Sequence, residues 1–143
     1  GLFYASNFSV GVNVFFEINK KLALLMSPYE DYKVSMEEIH HTEKLDAPSG
    51  TAITLAEDII EKIPNVKNWV NDETLSYNKL GILSKRIEKV PGTHIVTYEN
   101  SIDEIYIKHT AHNRKGFALG AVIAAEFMKD KSGFYGMSDL LGL

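Results

Sequence analysis

The sequence predicts an α+β fold: a mixed β-sheet covered by helices. Apolar residues recur at helical spacing in three segments and alternate at strand spacing between them. The elements follow the order αβαβββα, with strands grouped late instead of alternating regularly with helices. The 143 residues are 45% hydrophobic and 24% charged, enough for one domain with a core.

Ser9 to about Met26 carries Phe15, Ile18, Leu22 and Leu25 at helical spacing, and Ser27-Pro28 ends it. The β-branched Val10, Val12 and Val14 weaken the start, which tertiary packing must then fix. Tyr32, Val34 and Met36 alternate with Lys33, Ser35 and Glu37, a half-buried strand running into His40. His41 to Pro48 is a loop. Ser49 is an N-cap, and Ala52, Ile53, Ala56, Ile59, Ile60 and Ile63 form an apolar helix face that stops at Pro64.

Asn65 to Lys79 is polar apart from Trp69 and reads as a long loop. Leu80–Lys89, His94–Glu99 and Glu104–Ala111 are strands separated by Pro91-Gly92 and Asn100-Ser101 turns. Arg114 to about Lys129 is a helix with Phe117, Ala121, Ala124 and Met128 on one face, and with Gly116 and Gly120 allowing close approach. The tail from Ser132 holds Phe134, Tyr135, Leu140 and Leu141 and is too apolar to stay free in water. The first residues, Gly1 to Phe8, are apolar and strand-like, as in a chain entered midway.

Composition excludes several classes of function. A net charge of −4 with scattered basic residues gives no nucleic-acid footprint. The absence of cysteine removes disulfides, thiolate metal sites and cysteine nucleophiles. No apolar run reaches the roughly 20 residues of a membrane span. No Gly-x-Ser-x-Gly elbow is present. His94, His109 and His112 lack the spacing of a metal site, and His109 shares a strand face with Ile105 and Ile107, so no metal is expected.

The chemistry concentrates between Glu38 and Ala52. Ser49, Gly50 and Thr51 open a helix, where backbone N–H groups lack partners and the dipole favours an anion. Just upstream lie His40, His41 and Lys44. An imidazole can give or take a proton near neutral pH, and a lysine can pair with a carboxylate. The two histidines end a strand and point to opposite faces, so one can face a site while the other packs. Asp46 can orient a cation or cap the turn. The pattern is that of a site that holds and protonates a small carboxylate.

Glu38-Ile39-His40-His41-x-x-Lys44-x-Asp46-Ala47-Pro48-Ser49-Gly50-Thr51-Ala52 resembles the signature of the 4-hydroxy-tetrahydrodipicolinate reductase (dihydrodipicolinate reductase) family of the diaminopimelate route to lysine. Ala5 to Asn13 resembles its hinge segment, Gly92-Thr93-His94 its Gly-x-His strand start, and Gly133 to Leu143 its C-terminus. Thr42 and Glu43 stand where basic residues are common, and Gly136 where an Asp is usual.

The resemblance implies a reductase that passes hydride from NADPH or NADH to a dihydropyridine dicarboxylate. It assigns His40 as proton donor and acceptor and Lys44 as a second donor. His41, Ser49, Gly50 and Thr51 would bind substrate carboxylates. Ala5, Ser6, Asn7 and Phe8 would approach the nicotinamide, with Arg114 at the second hinge crossing.

No Gly-x-Gly-x-x-Gly occurs here, so the nucleotide domain is missing and the chain alone is expected to hold no cofactor and to be inactive. By this resemblance, residues 1–8 are the hinge, 9–113 the substrate-binding and oligomerisation domain, and 114–143 a helix and tail that pack on the nucleotide domain. A cytoplasmic homo-oligomer, dimer or tetramer, is implied. The alternative is a non-enzymatic carboxylate-binding or oligomerisation module on the same scaffold.

Overall fold

The structure, a computed structural model, describes residues 1–143. It contains β1 (Leu2–Phe3), α1 (Val10–Met26), β2 (Lys33–His40), α2 (Gly50–Lys62), β3 (Asn68–Val70), β4 (Lys79–Arg86), β5 (Gly92–Glu99), β6 (Glu104–Ala111), α3 (Lys115–Phe127), β7 (Phe134–Tyr135) and α4 (Met137–Leu141). Five strands form a mixed sheet in the order β3-β4-β2-β5-β6. β3, β4 and β2 run parallel, while β5 and β6 are antiparallel to their neighbours. The α+β class read from the sequence is the one observed.

One face of the sheet is buried. Val34 and Met36 of β2, Leu80 and Ile82 of β4, and Val96 and Tyr98 of β5 form a core with Val12, Phe15 and Phe16 of α1 and Leu55, Ala56 and Ile59 of α2. Helices α1 and α2 begin with serine caps, Ser9 accepting from the Val12 N–H and Ser49 from the Ala52 N–H. The fully buried Asn19 of α1 donates to the Leu55 carbonyl of α2 at 3.1 Å, joining the two helices across the core.

Packing rotates α1 from the face its apolar spacing suggests. Val12, Phe15, Phe16, Asn19, Ala23 and Met26 are buried, whereas Ile18 and Leu25 are 46% and 68% exposed. Asn19 takes a core position because it satisfies the Leu55 carbonyl, so polarity misled the sequence reading. In α2 the buried stripe includes Leu55, and Ile53, Ile60 and Ile63 are only half-buried. Ala121 of α3 is exposed, with Gly120 and Ala124 buried instead.

The stretch read as a loop after Asn65 holds β3, whose Trp69 pairs in register with Leu80. The tail is ordered as well. β7 pairs in parallel with β1, and Phe3, Phe8, Phe127 and Tyr135 stack around that pair. Gly120 lets Phe8 of the N-terminal segment touch α3, since a Cβ there would lie 1.8 Å from the Phe8 carbonyl oxygen.

No helix covers the second sheet face. Lys33, Ser35, Glu37, Leu75, Ile95 and Thr97 line a groove of about 730 Å³ there, with the β3–β4 loop along one side. The helix register makes a sharp prediction. Leu55→Ala should cost about 2–5 kcal/mol in urea denaturation, and Leu25→Ala under about 0.5 kcal/mol. Equal losses would contradict the observed packing.

Candidate functional site

The register of three strands assembles the site. β2 pairs with β4 so that Glu38 lies opposite Ser84 and His40 opposite Arg86. β5 places His94 opposite Glu38, and β6 places His109 opposite His94. The helix-covered face therefore changes from apolar to polar where β2 ends, beside the N-terminus of α2.

Glu38 is fully buried. Its Oε1 accepts from both Nη atoms of Arg86 at 3.1 and 3.2 Å, and its Oε2 contacts Nδ1 of His40. Burial opposes its charge, but the contacts from His40, Ser84 and Arg86 prevail and hold the carboxyl at about 2. An ionised carboxylate only accepts, so the proton between the two sits on His40 Nδ1. Nε2 of His40 is then the nitrogen left for chemistry. It lies where a Cβ on Gly92 would be 3.2 Å away, so the glycine makes room for the ring.

His94 meets His40 edge-on, with ring centroids 5.1 Å apart, and its Nε2 lies 3.1 Å from Ser49 Oγ. Burial, with the nearby His40 adding to it, pushes the His94 imidazole down to about 3 and keeps it neutral. Ser49 Oγ also accepts the Ala52 N–H at 3.1 Å. Its side chain is thereby engaged from both sides, and a carboxylate-binding role for Ser49 rests on its backbone N–H.

The N-terminus of α2 is open. The first helical bond runs from the Ile53 N–H to the Ser49 carbonyl, so the N–H groups of Gly50 and Thr51 precede it. A Cβ on Gly50 would meet nothing within 4 Å. Asn7 donates through Nδ2 to Thr51 Oγ1 at 3.3 Å, and its Oδ1 accepts the Ser9 N–H. The N-terminal segment and the helix end are thus brought together. Phe8 packs on Phe3 beside them, Ala5 is half-buried and Ser6 exposed.

His41 is half-buried with its imidazole unbonded, and Lys44 pairs with Asp46 at 2.8 Å. Arg114 is exposed at the start of α3 and makes no ion pair. The first turn of α3 nevertheless approaches the Asn7–Ser9 segment, since a Cβ on Gly116 would lie 3.7 Å from Ser9 Oγ.

Glu38, His40 and His94 bring three potential metal-ligand atoms within 4.8 Å of one another. The Arg86 guanidinium at 3.1 Å from Glu38 opposes a cation there, and His94 Nε2 is engaged with Ser49. The trio fits a hydrogen-bonded support better than a metal centre. His109 packs against Phe15 and His112 is exposed. The sequence reading gave no role to Glu38 and did not mark Arg86, whose only signal is a strand register that pairs residues 46 positions apart.

A family model described as "Dihydrodipicolinate reductase, C-terminus" matches residues 11–141. The 4-hydroxy-tetrahydrodipicolinate reductase of Christiangramia forsetii is 61% identical over 138 residues, covering 96% of this chain and 57% of that protein. The Methanosarcina barkeri enzyme of the same name is 41% identical over 140 residues, 96% of this chain and 52% of its own. The fold is similar to the dipicolinate-bound dihydrodipicolinate reductase from Paenisporosarcina sp. TG-14, with a TM-score of 0.68 and 28% identity over 97% of this chain and 54% of that one. The chain thus spans about half the length of the curated relatives it matches.

The buried charges set an acid limit on stability. The Glu38 carboxyl falls from 4.5 to about 2 on folding, so its contribution is full above 4.5 and lost as pH drops towards 2. The His94 imidazole falls from 6.5 to about 3, so its contribution is full above 6.5 and lost towards 3. Asp58, raised by burial to about 6, works in the opposite sense. Urea midpoints should therefore fall between pH 7 and 6, where His94 acts first, and change little between pH 6 and 4.5, where Asp58 offsets it. His94→Gln should remove the first fall and let the midpoint rise as pH drops from 6 to 4.5. An unchanged slope in that variant would contradict the assignment.

Proposed function

The chain belongs to the dihydrodipicolinate reductase C-terminus family, and on that premise we propose that it is the substrate-binding part of an NADPH- or NADH-dependent reductase of lysine and diaminopimelate biosynthesis. Its ligand is a pyridine- or dihydropyridine-2,6-dicarboxylate. The observation that carries this reading is the open N-terminus of α2. Gly50 and Thr51 offer unclaimed N–H groups to a carboxylate there, and His41 and Lys44 lie on the adjoining loop. The dipicolinate bound to the Paenisporosarcina relative supports the choice of ligand.

Reduction adds a hydride and a proton across one double bond of the ring. The nicotinamide nucleotide supplies the hydride when bound. This chain's residues fit only the nicotinamide end of that group: Ala5, Ser6, Asn7 and Phe8 adjoin Thr51 through the Asn7 hydrogen bond, and no glycine-rich loop offers a pyrophosphate site. Residues 114–143 would complete the contact with a nucleotide domain. The apolar Leu2, Tyr4, Leu119 and Phe134, all exposed, support that role, and Arg114 sits at its edge.

The proton is this chain's contribution. His40, fixed through Nδ1 by Glu38, would deliver it from Nε2, and Lys44 would serve as a second donor or as the partner of a carboxylate. Ser49 and His94 support the helix end. No helix is long and apolar enough to cross a membrane; the proposed cytoplasmic location follows from the reductase family.

Two outcomes check the proposal. The Thr51 hydroxyl accepts from Asn7 and keeps its own proton to donate to the carboxylate beside the N–H groups. Calorimetry should therefore show pyridine-2,6-dicarboxylate binding to the chain, weakened about tenfold or more by Thr51→Val, as expected for loss of a hydrogen bond to a charged group. Absence of binding, or an unaffected variant, would contradict it. The helix-free sheet face, with Leu75 92% exposed beside its groove, supports a homo-oligomer in which a second copy covers that face. Light scattering should give a dimer or tetramer mass, and a monomer at high concentration would contradict it.

A further inference from the structure

The loop from His41 to Ala47 holds two of the proposed ligand-contacting residues, yet it has almost no anchorage of its own. Within it, the Lys44 N–H bonds the His41 carbonyl and Lys44 Nζ pairs with Asp46. Every hydrogen bond that joins residues 41–47 to the rest of the chain comes from one side chain, Arg86. Its Nε donates to the Lys44 carbonyl at 3.4 Å and its Nη2 to the Asp46 carbonyl at 2.6 Å.

The same guanidinium donates through Nη1 and Nη2 to Glu38, and through Nη1 to its own strand at the Lys85 carbonyl. These are five contacts for the five N–H groups an arginine possesses. Arg86 stands opposite His40 in the β2–β4 pairing, and the adjacent Ile87 N–H bonds the His40 carbonyl at 2.8 Å. The guanidinium is thus at the junction of the strand that carries His40, the carboxylate that fixes its ring, and the loop that carries His41 and Lys44.

We propose that Arg86 is a positioning residue for this site: its guanidinium sets the His41–Ala47 loop and the Glu38–His40 pair in one geometry against the N-terminus of α2. The inference rests on the dicarboxylate-binding reading above and names the part that holds that site together. A lysine could neutralise Glu38 equally well, but its single ammonium cannot span a carboxylate and two carbonyls in a planar fork. Shape is therefore required in addition to charge.

Arg86→Lys keeps the buried carboxylate paired and should melt close to wild type, with pyridine-2,6-dicarboxylate affinity down about tenfold or more. In Arg86→Ala, methylguanidinium in the buffer should restore affinity where methylammonium at the same concentration does not. Wild-type affinity in Arg86→Lys, or equal rescue by the two cations, would overturn the proposal. If the wild-type chain binds no dicarboxylate, the functional reading fails, and the positioning role is then read from NMR backbone order parameters. Arg86→Lys should lower them across residues 42–47 and leave α2 unchanged. Unchanged loop order would overturn it.

Discussion

A carboxylate with no solvent exposure lies under the end of β2, and the architecture around it follows from keeping it ionised. Removing a carboxylate from water costs several kcal/mol, and leaving one partner of such a pair missing costs about 3–5 kcal/mol. Glu38 is offset by Arg86 on one oxygen and His40 on the other. That requirement ties β4 to β2 in parallel register, fixes which His40 nitrogen carries its proton, and brings Arg86 within reach of the loop carbonyls. His40 and the His41–Ala47 loop are positioned by one buried charge.

The two faces of the sheet divide the work. Helices α1 and α2 bury one face, and the caps at Ser9 and Ser49 bring both helix starts to the polar end of that face. Asn7 then bridges from the N-terminal segment to Thr51, so that segment and the start of α2 meet at one hydrogen bond. The other face keeps its groove and the exposed Leu75 away from the site. His94 links the two tasks of Ser49, as helix cap and as neighbour of the imidazole pair.

Much of this was legible in the sequence because it is local. The strand alternation into His40, the Ser49 cap, and the clustering of His41, Lys44 and Gly50 within one short segment need no tertiary information. What was not legible depends on pairing between distant segments. Arg86 carries no motif and acquires its role only from the β2–β4 register. The burial of Asn19 turns α1 because a polar residue finds its acceptor on another helix, which apolar periodicity does not reveal. β3 is three residues long and owes its existence to an adjacent strand edge. The short β1 and β7 likewise form only because the chain ends meet.

The proposed function stands on a dicarboxylate being gripped at the start of α2. The most direct test is to titrate ¹⁵N-labelled protein with pyridine-2,6-dicarboxylate and follow the backbone amides by NMR. Saturable shifts that are largest at Gly50 and Thr51 and extend to His41 and Lys44 are expected. Shifts centred on Ser35, Glu37 and Thr97 across the open sheet face, or none at the start of α2, would contradict it.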